Sequence, residues 1–298
     1  MEAPQLRPLG VGDIVDRVFA LYRSRPLLYL AAAAVPYLVF VLLIAGVTIA
    51  LAESFAGLAQ FANALATGTT PDPAVFAGAL GTFFVFILFV AIAAVVILSL
   101  QTTALVHAMS ARYLGRQITL GETLRAGLRS CPRVIATGLL IFVGLILLWI
   151  VLVIAMVLYQ QAWFVAIVAL AGLIGTFFIF SSSLVAPVIA TLEPVGPIAA
   201  IRRSFSLSKG NRWRILGLQL LLLVINGVIS AIVSAVFVTT IISDAGLRTA
   251  AQQVVNALTT IAWAPVEWGT FAILYYDLRV RREAFDLQLA AEALPRTF

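Results

Sequence analysis

One acid lies within the long apolar runs of this 298-residue chain: Glu267, in Trp263-Ala264-Pro265-Val266-Glu267-Trp268. Inside a bilayer a charged side chain costs at least about 2.5–3.5 kcal/mol, so such a group must face a protein interior, pair, or carry a proton. Glu267 stands ten residues before Asp277, about 15 Å along a helix. Pro265 removes one backbone donor beside it and frees nearby carbonyls for other hydrogen bonds. Four other apolar runs carry polar groups at a similar distance from their charged ends: Tyr37, Gln101, Asn226, and Ser181 with Ser183 in a run of three serines. Together these six residues define a candidate polar layer roughly 15–18 Å deep.

Two roles fit the layer. Its members can hold a helix bundle together by interhelical hydrogen bonds, averaging about 0.6 kcal/mol each. They can also line a pocket in which Glu267 takes up a proton or meets a headgroup or solute. A lipid hydrolase would need a nucleophile and a base within about 3 Å, and Ser183 and Glu267 are matched only by depth. His107 is the one histidine and sits five residues before Arg112, as a satisfied interfacial side chain would. The single cysteine, Cys131, excludes an intramolecular disulfide. No Walker A, dinucleotide-binding, HExxH or GxSxG signature occurs. The expectation is therefore no catalytic residue, no metal and no cofactor.

The elements that position these groups follow from composition. The chain is 62% hydrophobic and 11% charged, with mean hydropathy +1.09, against about 45–50% and about 25% in soluble domains. Its charge is +6 and its pI near 10.0, but the arginines sit at the ends of apolar runs, which suits anionic headgroups better than nucleic acid. Of 19 basic residues, 18 fall in four clusters: Arg7–Arg25, Arg112–Arg133, Arg202–Arg214 and Arg279–Arg296. Between them lie six apolar stretches, at about 27–52, 78–109, 134–158, 162–191, 214–242 and 252–276, each long enough to span. Arginine-rich loops stay cytoplasmic, so both termini are expected inside. Ala50-Leu51-Ala52 resembles a cleavage site, but the apolar run before it exceeds the about 7–15 residues of a signal h-region. The first span is expected to stay uncleaved. Asp72-Pro73 marks a helix start, and Tyr159-Gln160-Gln161 a tight hairpin between spans three and four.

Three basic segments share a pattern. Ser24, Ser130 and Ser208 each follow a helix-start residue by eleven positions (Asp13, Thr119, Pro197) and precede a breaker by two (Pro26, Pro132, Gly210). Each reads as an amphipathic helix lying in the headgroup boundary, with Val11, Ile14, Val15, Val18, Phe19 and Tyr22 on the apolar face of the first. Headgroup contacts are assigned to Arg17, Arg23, Arg125, Arg129, Arg202, Arg203 and Arg212. The expected fold is an all-α membrane protein, one domain over residues 1–298, with six transmembrane helices in three parallel repeats. The repeats cover about 11–112, 117–192 and 196–280, each preceded by its interfacial helix. Residues 281–298 form a cytoplasmic C-terminal helix supported by Asp277–Arg281, Arg279–Glu283 and Arg282–Asp286 pairs. Leu274, Leu278, Phe285 and Leu289 give it an apolar stripe. Glycines at 138–144 and 172–175 are expected to permit close helix packing.

Three stretches also carry a likeness: Leu6-Arg7-Pro8-Leu9 with Asp13-Ile14-Val15-Asp16-Arg17, Ala200–Phe205 with Trp213–Gly217, and Tyr275–Leu287. In these the chain resembles the bacterial glycerophosphoryl diester phosphodiesterase membrane domain family. That resemblance implies a multi-pass module of the cytoplasmic (inner) membrane. The soluble phosphodiesterase domain is lacking, and one histidine cannot supply that enzyme's usual pair. The leading expectation is a non-enzymatic membrane module that engages lipids or organises partner proteins. The alternative is a transporter or lipid-handling protein that uses the pocket around Glu267.

Overall fold

The first N–H groups of a helix need acceptors, or a proline that lacks the group, and several helix starts here supply one or the other. The computed structural model describes residues 8–69, 73–236 and 245–288. Within them the chain is all-helical, without a strand. The helices are α1 (Val11–Ser24), α2 (Pro26–Ala50), α3 (Ala52–Thr67), α4 (Pro73–Tyr113), α5 (Leu120–Leu158), α6 (Ala162–Ser183), α7 (Ala186–Leu192), α8 (Pro197–Ser208), α9 (Arg212–Ser234) and α10 (Ala245–Glu283). Pro26 and Pro197 open α2 and α8. Asp13 accepts the Gly10 N–H at 2.9 Å before α1. Thr119 and Glu122 cap α5 reciprocally, as their spacing predicts. Leu6, Arg7, Asp72, Asp244, Leu289 and Arg296 lie outside the described residues.

Five stretches are long and apolar enough to cross a membrane: Pro26–Ala50, Leu80–Tyr113, Leu120–Leu158, Ala162–Leu192 and Arg212–Ser234. This is compatible with a membrane protein. The expected sixth, in α10, falls short of that apolarity because Gln252, Gln253, Asn256 and Glu267 interrupt it. Its packing explains the difference. From Trp263 to Leu278 α10 is almost wholly covered by protein, so its side chains need not suit hydrocarbon. Phe271, Ile273, Leu274 and Leu278 meet Ile14 and Val18 of α1, Ile189 of α7 and Leu207 of α8 in one core. This core is centred towards the arginine-bearing end and reaches Trp263 and Val266 along α10. Towards the other end, Leu42, Phe84, Val151, Leu158 and Leu223 stay exposed.

Four expectations change. The apolar faces of α1 and α8 do not lie open towards headgroups: Ile14, Val18, Ala200 and Leu207 are buried in the core. An apolar stripe beside a covered helix gains more from packing than from a half-wet boundary. Pro132 does not separate an entry helix from a span, because α5 runs through it. Its ring is exposed while Ser130, Cys131 and Val134 are buried, so the flanking turns are held by neighbours. Span four is not continuous, since α6 ends at Ser183 and α7 begins at Ala186 with Pro187 in its first turn. The C-terminal helix is interrupted too, with α10 ending at Glu283 before Ala284 at φ 50°.

The glycines divide as well. A Cβ at Gly172 would strike Leu152, and one at Gly175 would touch Leu148, so these two do let α6 approach α5. Gly138 and Gly144 have open space. The tightest backbone approach is at Gly127, where a Cβ would lie 3.1 Å from the Ala104 amide nitrogen and 3.1 Å from Thr103 Oγ1. Thr103 also donates to the Gly127 carbonyl at 3.1 Å. Gly127→Leu is therefore expected to lower stability by about 1–3 kcal/mol, the usual cost of overpacking, whereas Gly138→Ala does not lower it. Thermal unfolding of the detergent-solubilised chain, followed by circular dichroism, checks this. Equal midpoints for the two variants would remove Gly127 from the α4–α5 interface.

Candidate functional site

Among the described residues the most buried carboxylate is that of Asp277, and polar groups collect around it. Asp277 leaves no side-chain surface exposed, and a charge so placed must be paired and hydrogen-bonded. Arg214 of α9 reaches its Oδ2 with Nη1 at 2.5 Å, and Arg281, one turn along α10, reaches it with Nε at 3.0 Å. The Leu9 N–H donates to Oδ1 at 2.7 Å. The same two arginines donate to the Leu9 carbonyl, from Arg214 Nη2 at 2.5 Å and Arg281 Nη2 at 2.8 Å. Leu9, just before α1, is thus held through both its N–H and its carbonyl by α9 and α10.

A second network adjoins it. Glu193, just after α7, takes Arg203 Nε at 2.7 Å and the Tyr275 hydroxyl at 2.6 Å, while its carbonyl accepts Arg133 Nη1 at 2.7 Å. Arg203 continues to Glu283 at 3.0 Å, and Arg279 reaches the same carboxylate at 2.9 Å. Burial works against the Arg203 charge, but the facing Glu193 and Glu283 carboxylates outweigh it and hold its pKa above the ordinary value. The expected Arg282–Asp286 pair gives way to a bond from Arg282 to the Lys209 carbonyl, because the helix stops between the two residues.

The six polar-layer residues form no shared hydrogen-bond network among the described residues. Gln101 donates to the Ala33 carbonyl at 3.0 Å. Ser181 and Ser183 donate back to Phe178 and Phe180 of their own helix, so Ser183 makes no nucleophile–base contact with Glu267. Tyr37 and Glu267 are half-buried, and neither has a partner among the described residues. The Asn226 Oδ1 is buried without one. The depth assigned to the serines assumed an unbroken helix to residue 191. With the break after Ser183 they fall at the arginine-bearing end, where Ser182 meets Arg212 Nε at 2.8 Å and its carbonyl accepts the Ser204 hydroxyl at 2.6 Å. Ser182 was the informative member of the triplet.

The Gln252–Ser234 bond at 2.8 Å and the Arg214–Asp277 pair set an antiparallel register between α9 and α10. In that register Gln219 comes to about the level of residues 267–272. Its Oε1, like the Asn226 oxygen, is buried and unpartnered.

The assigned headgroup arginines split into two sets. Arg203 is consumed by ion pairs, Arg212 lies over the Phe178 ring at 4.1 Å, and Arg17 lies 5.7 Å from the Tyr113 ring. Arg23, Arg125, Arg129 and Arg202 are exposed, without a protein partner among the described residues. Between α4 and α5, with Pro187 and Trp268 also in its wall, lies a partly open apolar cavity of about 670 Å³ that no charged group lines.

Asp277→Asn is expected to cost about 3–5 kcal/mol, because Arg214 and Arg281 lose their counter-charge in a covered place. Glu283→Gln, in a more accessible pair, costs less. Denaturant titration of the solubilised chain measures both, and equal losses would take Asp277 out of its central role. Neither a curated protein nor a solved structure matches the chain. One family model matches residues 1–276, a span that takes in Leu9 and Arg214 and stops one residue short of Asp277. The chain belongs to the family described as "Domain of unknown function (DUF8558)".

Proposed function

We propose that this chain is a non-enzymatic multi-pass module of a bacterial cytoplasmic membrane that engages anionic lipid headgroups at its inner face. In this reading α10 is a sixth span shielded by the others. The six spans form three parallel repeats, and both termini are cytoplasmic. The observation that carries it is the set of partner-free, exposed arginines, Arg23, Arg125, Arg129 and Arg202, at one end of an otherwise apolar bundle. Around them Leu27, Leu128, Ile198 and Trp213 are also exposed, a mixture that suits the boundary between headgroups and acyl chains. Each arginine near an anionic surface contributes about 1 kcal/mol. The resemblance to the glycerophosphoryl diester phosphodiesterase membrane domain family points the same way and brings no catalytic residue.

The alternative, a transporter or lipid-handling protein, draws on the α9–α10 seam. Glu267 of α10 has no partner among the described residues, and Gln219 and Asn226 of α9 each keep a buried oxygen unpartnered. A solute or proton would find unclaimed partners at that place.

Two measurements separate the readings. Replacing the four free arginines by glutamine is expected to abolish the preference of spin-labelled phosphatidylglycerol over phosphatidylcholine in the lipid shell of the reconstituted chain. A preference kept in full would reject headgroup engagement. If the seam conducts protons, Glu267→Gln proteoliposomes hold an imposed pH gradient that wild-type ones dissipate. Equal, slow leakage from both would rule the transport reading out.

A further inference from the structure

A recess of about 310 Å³ opens beside the turn that joins α8 to α9. Ile174, Phe177, Phe178 and Ser181 of α6 form one wall, and Gly210, Arg212 and Trp213 the other. The three apolar residues follow i, i+3, i+4 spacing and so make a strip along one helix face. That strip runs from Arg212 towards the apolar middle of the bundle. Gly210 adopts φ 81°, a left-handed turn that ends α8 and carries no side chain into the space.

Arg212 is fixed in place before any ligand arrives. Its Nε is committed to Ser182, and its guanidinium carbon lies 4.1 Å from the centre of the Phe178 ring. Nη1 and Nη2 have no partner among the described residues, although the side chain lines the recess. No acid lines the recess to claim them. Trp213 is 80% exposed and packs on Phe177 with ring centres 5.0 Å apart. An indole so placed suits the zone where headgroups meet acyl chains.

A forked guanidinium matches phosphate through two parallel N–H bonds. Holding it by stacking and by Ser182 removes the ordering cost that a free arginine incurs on binding. This distinguishes Arg212 from exposed Arg125 and Arg129, which offer charge without shape. It also distinguishes it from Arg203, whose charge is consumed by Glu193 and Glu283. We infer that the recess is a specific site for one anionic phospholipid, with its phosphate on Nη1 and Nη2 of Arg212 and an acyl chain along Ile174, Phe177 and Phe178. The inference rests on the membrane reading above and adds to it a saturable position.

Native mass spectrometry of the full chain in detergent tests it, with phosphatidylglycerol and phosphatidylcholine as probes. Wild type is expected to retain one phosphatidylglycerol under conditions that strip phosphatidylcholine. Arg212→Gln is expected to weaken that complex about tenfold, as loss of a charge-assisted hydrogen bond implies. Arg212→Lys keeps the charge without the fork and recovers only part of the loss. Ile174→Trp fills the recess without touching Arg212 and lowers retention too, while Gln160→Ala, on the distant hairpin, does not. Circular dichroism confirms that each variant is folded. Wild-type retention in both Arg212→Gln and Ile174→Trp would overturn the site. Displacement of the lipid by soluble glycerol phosphate would also overturn it, in favour of a soluble phosphate ligand. The variant lacking the four free arginines is expected to keep its one bound lipid, so loss of the general lipid preference and loss of this site read out separately.

Discussion

A carboxylate with no exposed surface has to be neutralised where it stands, and Asp277 sets the terms for the chain around it. Two guanidinium groups and a backbone N–H meet it, and the arginines also bind the carbonyl of Leu9. The segment before α1, the first turn of α9 and the last turns of α10 are thereby drawn to one point. Hydrophobic burial has no direction and would allow α1 to slide over α10. A buried ion pair with hydrogen-bond geometry allows one placement. Such a pair adds little net stability compared with well-packed apolar residues, so its effect here is to select an arrangement.

The rest of the packing follows from where that selection happens. Helices tied at one end need not be tied at the other, and the exposed Phe84, Val151 and Leu223 show that they are not covered there. In water such surface would drive association, whereas against acyl chains it costs nothing. The same asymmetry explains why α10 is less apolar than its neighbours. Enclosed by protein through most of its arginine-end half, it keeps Thr270 and Tyr275 hydrogen-bonded inside the bundle, groups that a lipid-facing helix would carry at a cost.

Local rules were legible in the sequence, and long-range pairings were not. The Thr119–Glu122 cap, the hairpin at residues 159–161 and the breaks at Pro26 and Gly210 all depend on neighbours a few residues apart. So do the Asp277–Arg281 and Arg279–Glu283 pairs. Pro132 failed as a breaker because the tertiary grip on Ser130, Cys131 and Val134 outweighs one missing hydrogen bond. The layer of Glu267, Gln101, Asn226 and the serines was inferred from distance along ideal helices, and one break after Ser183 moved its densest part to the bundle end. Arg203 was read as a headgroup contact because its carboxylate partners lie 10 and 80 residues away. Even so, the three stretches that carried the family resemblance supply Leu9, Arg214 and Asp277.

Arginine therefore has three separate uses in one chain, and the difference lies in what each guanidinium has already spent. Arg214 and Arg203 have given their charge to carboxylates and can offer little to a ligand. Arg23, Arg125, Arg129 and Arg202 are exposed and without a partner among the described residues, so they contribute a field that salt can screen. Arg212 stands between them, oriented by Ser182 and Phe178 yet with two nitrogens uncommitted. Specific recognition requires both conditions at once. A spent arginine lacks the free donors, and an unfixed one must be ordered at binding. On that argument Arg212, immobilised by the fold without being neutralised and open to a recess, sets the position of a discrete ligand.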